Sequence, residues 1–458
     1  MAIATINPAT GTTVRTFPEL TEAEVEQKIG VAHERWRTYR LTGFDERAEC
    51  MRAAADLVEK EVDHAAQLMS TEMGKTLASA HGEALKCAHG MRYYADHAAE
   101  FLADEVLADP SQVGAERALG RYQPLGVVLA AMPWNFPMWQ VMRFAAPALM
   151  AGNVGLLKHA SNVPQCALYL EDVLRRGGFA EGCFQALLIS SGKVEAILRD
   201  PRVVAATLTG SEPAGRSVAA ICGDEVKHTV LELGGSDPFV VMPSADLDRA
   251  VATAVDARVQ NNGQSCIAAK RFIVHTDIYD AFTEQFVARM RELTVGDPFD
   301  PATDVGPLAT EQGRADVEEL VDDAIAAGAT VLCGGRRPDG AGWFYPPTII
   351  ADITRDMRIF AEEVFGPVAS LYRAADIEEA LEIANATTFG LGSNAWTNDK
   401  TEKERFMADL YAGQVFINGK TTSYPELPFG GVKRSGYGRE LSTHGIREFC
   451  NLKTIWMG

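Results

Sequence analysis

The stretch "GVVLAAMPWNFPMWQVMRFAAPALMAGNVGLLKHA", residues 126–160, holds two short apolar runs on either side of a helical pattern. The runs at 126–134 and 154–160 are typical of buried strands, and the helix between them ends near 151–153. Two strands joined by a helix lie parallel in one sheet. The stretch therefore predicts an α/β fold.

The same alternation continues towards the C-terminus. Further strand-like runs lie at 183–190, 204–210 and 229–235, with helical segments between them. Strands that alternate with helices and are buried on both faces indicate a doubly wound parallel sheet, whose ligands bind beyond the carboxyl ends of the strands. A second series of helices and strands, from Asp246 to about 418, predicts a second α/β domain.

The chain before residue 126 is mainly helical. Thr21 and Glu24 have the spacing of a capping box and precede apolar residues at helical intervals, so the first clear element is an amphipathic helix. Residues 44–102 are helical almost throughout. Two strand-like segments, 116–126 and 448–458, belong to neither alternation and need pairing partners, which could lie in another subunit.

Composition disfavours several classes of protein. The chain has 458 residues, 47% of them hydrophobic, and a formal net charge of -19, which is typical of an ordered multidomain protein without a nucleic-acid partner. It has no apolar run of membrane-spanning length and no signal-peptide pattern, so we expect a cytoplasmic protein with no membrane partner. The eight cysteines and nine histidines show no metal-binding or disulfide spacing, so we expect no metal.

Three of the predicted strands end in residues that suit ligand binding. Asn135, held between prolines in "MPWNFP", could donate its amide to a developing oxyanion, or it could cap a turn or helix. Lys158 could meet a ribose or phosphate, or it could be a solvated lysine. Gly210 and Gly215 in "TGSEPAGR" open a helix N-terminus suited to an anion, although such glycine pairs are usually ordinary turns.

Glu232 and Cys266 are the remaining candidates for chemistry. Glu232 ends the fifth strand in "LELGG", where poor solvation would raise its pKa as a general base requires, unless it lies on the surface. Cys266 lies in the polar loop "QNNGQSCIAAKR". Most cysteines of unknown role are inert packing residues, so the loop alone leaves open whether Cys266 is a nucleophile.

Several motifs follow one another along almost the whole chain. They are "INPATG" (6–11), "PWNFP", "LTGS", "LELGG", "NNGQSC", "EEVFGPV" (362–368) and "LPFGGVKRSGYGRE" (427–440). With these motifs in this order, the chain resembles the aldehyde dehydrogenase superfamily. Within it, the chain looks most like the shorter bacterial NADP-dependent succinate-semialdehyde dehydrogenases.

The resemblance implies a Rossmann-like cofactor domain, a second α/β catalytic domain and a small β arm for oligomerisation. Family members pair through such an arm and the C-terminal strand to give homodimers or homotetramers, and the sequence does not choose between these. The expected boundaries are 1–111 and 125–234 for the cofactor domain, 235–447 for the catalytic domain, and 112–124 and 448–458 for the arm.

The resemblance implies that Cys266 attacks an aldehyde to form a thiohemiacetal, whose oxyanion is held by the Asn135 amide and the Cys266 backbone N–H. Glu232 is then expected to activate the water that hydrolyses the thioester, which argues against transfer to coenzyme A. Glu440 in "GRE" is expected to relay protons. A cysteine hydrolase would need a histidine, and none lies in these motifs. A non-catalytic role is disfavoured because Asn135, Glu232, Cys266 and Glu363 are all retained.

The resemblance also implies contacts to a cofactor. In NAD-preferring relatives, a glutamate three positions after the equivalent of Lys158 bonds the adenosine ribose and would repel a 2′-phosphate. Here that position is Ser161, so we expect NADP, with NAD as the weaker alternative. Glu363 is expected on the nicotinamide ribose and Phe365 beside the ring. The other expected cofactor contacts are Pro133, Trp134, Gly210, Ser211, Gly215 and Leu233.

The expected substrate is succinate semialdehyde, with other ω-semialdehydes or a broad aliphatic range as alternatives. Arg143 matches an arginine that such enzymes use for the distal carboxylate, although a helix-surface salt bridge would also explain it. A second arginine usually stands six positions before the nucleophile, and here that position is Gln260. Carboxylate binding could then be redistributed to Ser423 and Lys420. Some relatives carry a second cysteine where this chain has Ala268, so we expect no local disulfide switch.

Overall fold

The computed structural model describes residues 3–458; Met1 and Ala2, which the predicted cofactor domain includes, lie outside them. The α-helices of this part are α1 (Glu22–Tyr39), α2 (Phe44–Lys60), α3 (Val62–Met73), α4 (Leu77–Phe101), α5 (Trp139–Ala151), α6 (Pro164–Arg176), α7 (Val194–Arg199), α8 (Glu212–Asp224), α9 (Leu247–Val259), α10 (Tyr279–Glu292), α11 (Glu311–Ala326), α12 (Arg358–Ala361), α13 (Ile377–Asn385), α14 (Lys400–Asp409) and α15 (Ser442–Arg447).

The strands form four sheets. They are β1 (Ile3–Asn7), β2 (Thr12–Phe17), β3 (Glu105–Val106), β4 (Arg117–Pro124), β5 (Val127–Met132), β6 (Val154–His159), β7 (Phe184–Ala186), β8 (Val203–Thr209), β9 (His228–Glu232), β10 (Asp237–Val241), β11 (Ala269–His275), β12 (Thr330–Cys333), β13 (Thr348–Ala351), β14 (Val368–Ala374), β15 (Asn394–Trp396), β16 (Phe416–Ile417), β17 (Gly436–Tyr437) and β18 (Cys450–Met457).

The first large sheet has the strand order β17-β9-β8-β5-β6-β7. The five strands predicted from the alternating pattern, β5 to β9, are parallel, which confirms the doubly wound sheet. The sixth strand, β17, pairs antiparallel with β9 at the edge and was not predicted, because two residues are too short to show a period. Its register sets Gly436 opposite Glu232.

The second large sheet has the order β12-β13-β14-β11-β10-β15-β16, with β12 antiparallel at the edge. Its strands are covered on both faces: in β10, Phe239 and Val241 belong to one apolar cluster and Val240 to another. The sequence did not predict β10, because Pro238 argues against a central strand. The pairing of β10 with β11 is irregular between Asp237 and Pro238, where the proline is accommodated.

The remaining strands form two small sheets. The segments 116–126 and 448–458 pair with each other, as β4 and β18, and β3 adds a third strand. The two segments thus pair with each other within the chain. β1 and β2 form an antiparallel hairpin that the sequence did not predict. The capping box at Thr21 is confirmed, because its side chain and that of Glu24 each accept from the other's backbone N–H.

Candidate active site

The carboxyl end of β9 brings three chain segments together. Gly234 and Gly235 follow the strand and leave room for close neighbours. A side chain at Gly234 would overlap the Glu363 carboxylate, and a Cβ at Gly235 would lie 2.7 Å from the backbone O of Cys266. The two glycines therefore place Glu232, Glu363 and the Cys266 loop at one point, where sequence reasoning expected a site.

The Cys266 loop is shaped by the asparagines that precede it. α9 ends in a 3-10 turn at Gln260–Gly263, where Asn261 and Asn262 adopt left-handed backbone with φ of 55° and 58°. The Asn261 amide donates to the backbone O of Asn135 (2.7 Å) and of Gln264 (3.0 Å). These bonds hold the turn and tie it to the end of β5.

Burial raises the pKa of the Cys266 thiol to about 12, while the positive charges of Lys270 and Arg143 act to lower it. Lys270 is buried and donates to the backbone O of Ser265 (2.8 Å) and of Cys266 (2.7 Å). Its ammonium also pairs with Glu363 at 3.1 Å. Sequence reasoning did not find Lys270, because nothing in its local pattern separates it from a surface lysine.

Asn135 lies beside this loop. Its amide Nδ2 donates to the backbone O of Gln264 at 3.1 Å, and its Oδ1 accepts from Gln140 Nε2 at 2.9 Å. An amide has two N–H donors, so one remains for a ligand oxygen. Asn135 does not cap α5, whose N-cap is Met138. The helix cap is thus wrong, while the Asn135 amide does hold the loop that carries Cys266.

Two buried carboxyl groups flank one buried arginine. Burial, followed by the charge of Glu440, raises the pKa of Glu232 well above its ordinary value. Neither carboxyl oxygen of Glu232 has a hydrogen-bond partner among residues 3–458. Glu440 forms an ion pair with Arg143 Nε, yet burial still raises its pKa. Arg143 therefore pairs with Glu440 within the protein. This ion pair is an alternative to the contact between Arg143 and a substrate carboxylate that the sequence predicts.

The residues expected at a cofactor lie along the carboxyl ends of the first sheet. Lys158 is the last residue but one of β6 and is partly buried, and burial lowers its pKa. Among the described residues, neither the Lys158 ammonium nor the Ser161 hydroxyl has a hydrogen-bond or ion-pair partner. Trp134 and Phe365 meet edge to face, with ring centroids 5.7 Å apart. Three more residues expected to contact the cofactor lie where β8 leads into α8, namely Gly210, Ser211 and Gly215.

A cavity of about 200 Å³ opens at Cys266. This is smaller than the ~300–1,000 Å³ typical of sites for drug-sized ligands, which favours a short substrate. Arg143, Gln260 and Ser423, expected from the sequence at the substrate, all line it, as does Lys420. So does Lys86, which sequence reasoning missed because it lies inside the long helix α4 with no distinguishing motif.

Two negative findings complete the description. Within residues 3–458, no group of three or more His, Cys, Asp or Glu side chains is arranged to hold a metal ion. The same residues contain no helix that is both long enough and apolar enough to cross a bilayer.

Comparison with known proteins identifies the family. Residues 1–455 match the aldehyde dehydrogenase family. The chain belongs to this family. An aldehyde dehydrogenase is an NAD(P)-dependent oxidoreductase, and the sequence prediction of that fold and activity is confirmed.

Several known proteins are similar to the chain over all or nearly all of their length. The chain is 72% identical to succinate-semialdehyde dehydrogenase (NADP(+)) 1 of Mycobacterium tuberculosis, covering 100% of both chains. It is 70% identical to the succinate-semialdehyde dehydrogenase (NADP(+)) of Mycobacterium leprae, again over 100% of both. A crystal structure of succinic semialdehyde dehydrogenase from Streptococcus pyogenes with NADP+ superimposes with a TM-score of 0.96 at 38% identity, covering 99% of each chain.

Proposed function

We propose that the protein oxidises succinate semialdehyde to succinate with NADP+. The observation that carries this proposal is the small cavity at Cys266, whose walls include the cationic side chains of Lys86, Arg143 and Lys420. A short aldehyde with a distal negative charge suits such a cavity. The names of the full-length relatives at 70% and 72% identity support the same substrate and cofactor.

In this proposal, the Cys266 sulfur attacks the aldehyde carbon and forms a thiohemiacetal. The free N–H of the Asn135 amide and the backbone N–H of Cys266 hold the oxyanion. The thiol proton first passes to Glu232, because burial raises the pKa of Cys266 to about 12 and the thiolate is the nucleophile. Lys270 and Arg143 make that loss easier by stabilising the thiolate.

The second half of the reaction hydrolyses the thioester. Glu232, whose carboxyl oxygens have no hydrogen-bond partner in the described chain, takes a proton from the attacking water. Glu440, which pairs with Arg143 and whose charge raises the pKa of Glu232, is proposed to receive protons from this centre. Cleavage of the C–S bond returns the Cys266 thiol and releases the carboxylic acid.

NADP+ supplies the hydride acceptor when it is bound. Lys158 and Ser161 are suited to its 2′-phosphate, since they offer a partly buried ammonium and a hydroxyl at the carboxyl end of β6. Trp134 and Phe365 are suited to the nicotinamide end, and Glu363 to its ribose. Lys270 holds the Glu363 carboxylate in place.

We expect Ser161→Glu to reverse the cofactor preference. A carboxylate beside Lys158 would neutralise its charge and repel a 2′-phosphate, so the ratio of kcat/KM for NADP+ over NAD+ should fall roughly 10–100-fold. Steady-state kinetics with both cofactors measures this ratio. The matched control is Ser111→Glu, which adds the same charge on an exposed turn. An unchanged ratio in Ser161→Glu would contradict the assignment.

An aldehyde panel tests the substrate. We expect kcat/KM for succinate semialdehyde to exceed that for butyraldehyde by roughly 10–100-fold, the size of a charge-assisted hydrogen bond to the distal carboxylate. Butyraldehyde has the same carbon chain without the charge. Equal values would reject succinate semialdehyde in favour of a broad aliphatic range, and a higher value for a longer ω-semialdehyde would favour that alternative.

Other parts of the proposal concern the whole molecule. We expect the segments 112–124 and 448–458 to act as an oligomerisation arm, beside a cofactor domain (1–111 and 125–234) and a catalytic domain (235–447). The cytoplasmic location, the homodimer or homotetramer, and the lack of a metal, nucleic-acid or membrane partner stay predictions from the sequence.

A further inference from the structure

Lys86 lies in α4, one turn after Glu83, so both side chains reach the cavity wall. Glu83 is fully engaged elsewhere: its carboxylate accepts from the backbone N–H of Met138 (2.8 Å) and of Trp139 (2.9 Å), and it pairs with the buried Lys75. Glu83 therefore fixes the start of α5 and does not serve as the counter-ion of Lys86.

Within residues 3–458, the Lys86 ammonium has no anionic partner. It donates to Ser423 Oγ at 2.7 Å and lies 4.5 Å from the centroid of the Trp139 ring, and no carboxylate among residues 3–458 forms an ion pair with it. An ammonium has three N–H donors, so at least one remains for a ligand. A partly buried cation without a counter-ion is stabilised by an anion that enters the cavity.

Ser423 is arranged to act with Lys86. Its hydroxyl oxygen accepts from Lys86 Nζ and also from Trp139 Nε1 at 2.9 Å. Since both lone pairs are used, the hydroxyl proton is left to donate. The two side chains together present N–H and O–H donors to the cavity, which is the arrangement that a carboxylate requires.

The other candidates on the cavity wall are bonded within the protein. Arg143 pairs with Glu440, and Lys420 pairs with Asp256. Gln260 carries no charge, and its amide donates to the backbone O of Ile267 at 3.4 Å. Lys86 is thus the cation on this wall that has no carboxylate of the described chain beside it.

We propose that Lys86, together with Ser423, binds the distal carboxylate of the substrate. Lys86 takes the place of the arginine that is missing at position 260, approaching the cavity from α4 instead of from the nucleophile loop. This assignment rests on the proposed function, because it needs a substrate with a negative charge at the end remote from its aldehyde.

The test compares Lys86→Met with Lys86→Arg in the full-length enzyme with NADP+. The readout is the ratio of kcat/KM for succinate semialdehyde to that for butyraldehyde, which cancels differences in folding or in Cys266 reactivity. We expect the ratio to fall roughly 10–100-fold in Lys86→Met, mainly through KM, and to be largely retained in Lys86→Arg. Lys60→Met, which removes an exposed lysine at the end of α2, should leave the ratio unchanged.

The pH dependence gives an independent readout. Burial, followed by the charge of Arg143, lowers the pKa of Lys86 to about 8, while Cys87 and Glu83 act to raise it and Lys420 to lower it. Lys86 is protonated below this pKa, so the ratio should be highest at neutral pH and fall as the pH rises through about 8. In Lys86→Arg the ratio should stay flat over the same range, because arginine keeps its charge.

The outcomes separate this inference from the proposed function. If the wild-type enzyme does not prefer succinate semialdehyde to butyraldehyde, the proposed function is wrong, and the Lys86 assignment is wrong with it. If the wild type shows the preference and Lys86→Met keeps it in full, the Lys86 assignment alone is wrong. Loss in Lys86→Met that is restored by adding Gln260→Arg would support it strongly.

Discussion

Cys266→Ala should abolish aldehyde oxidation, with kcat falling by at least about 10⁴-fold, because no other group can form the covalent adduct. The variant should fold normally, since alanine removes only the sulfur from a side chain that is not fully buried. Formation of NADPH in the presence of succinate semialdehyde measures the loss. Binding of NADP+, followed by fluorescence titration, should be kept.

A second cysteine variant provides the control for this loss. Cys50→Ala changes a partly buried thiol in α2, away from the Cys266 loop, and should retain its activity. Substantial oxidation by Cys266→Ala would show that the nucleophile lies elsewhere. The experiment also excludes a cysteine hydrolase, since such an enzyme would not reduce NADP+ in response to an aldehyde.

Glu232→Gln should separate the two halves of the reaction. Glutamine has the shape of glutamate but cannot take a proton from water, so the thioester should form and then persist. We expect a burst of about one NADPH per active site, followed by steady turnover reduced by roughly 10²–10³-fold. Rapid-mixing kinetics measures the burst, and mass spectrometry of the quenched enzyme should find the acyl group on Cys266.

In the wild-type enzyme, the pH dependence of thioester hydrolysis should reflect the ionisation of Glu232. Burial and the nearby Glu440 raise the pKa of Glu232, so the carboxyl group is still protonated at pH values where an ordinary glutamate is ionised. Its basic form appears only as the pH increases further, and the rate of thioester hydrolysis should rise with it. Glu232→Gln should lose this rise. A variant that turns over at the wild-type rate, or that shows no acyl-enzyme, would contradict the role of Glu232.

The parallel sheets could be predicted from the sequence because their strands are continuous apolar runs bounded by helical patterns. β5 and β6 are of this kind, and their predicted positions differ from the observed bounds by only a few residues. Besides the hairpin of β1 and β2, the missed strands include three that contain a proline or are short. β10 contains a proline, and β13 and β17 are four and two residues long.

The residues of the site also fall into two groups, those that the sequence predicts and those that it misses. Cys266 and Glu232 stand in motifs whose polar or glycine-rich neighbours distinguish them from core positions. No motif surrounds Lys86 in the sequence. Its partner Ser423 is 337 positions away, and only the folding of the chain brings the two side chains together. The pair between Arg143 and Glu440 is equally invisible in the sequence, and it gives a partner within the protein to a side chain expected to bind the substrate.

The position of β17 has a consequence for biosynthesis. The other strands of the first sheet are all complete at Glu232, yet the edge of β9 stays unpaired until Gly436 and Tyr437 leave the ribosome. Until Glu440 follows, Arg143 also lacks its counter-ion. The nascent chain therefore carries an open sheet edge and an unfinished catalytic centre from the synthesis of β9 until β17 and Glu440 are made. A chain that terminates early keeps both, which makes it inactive and a target for chaperones.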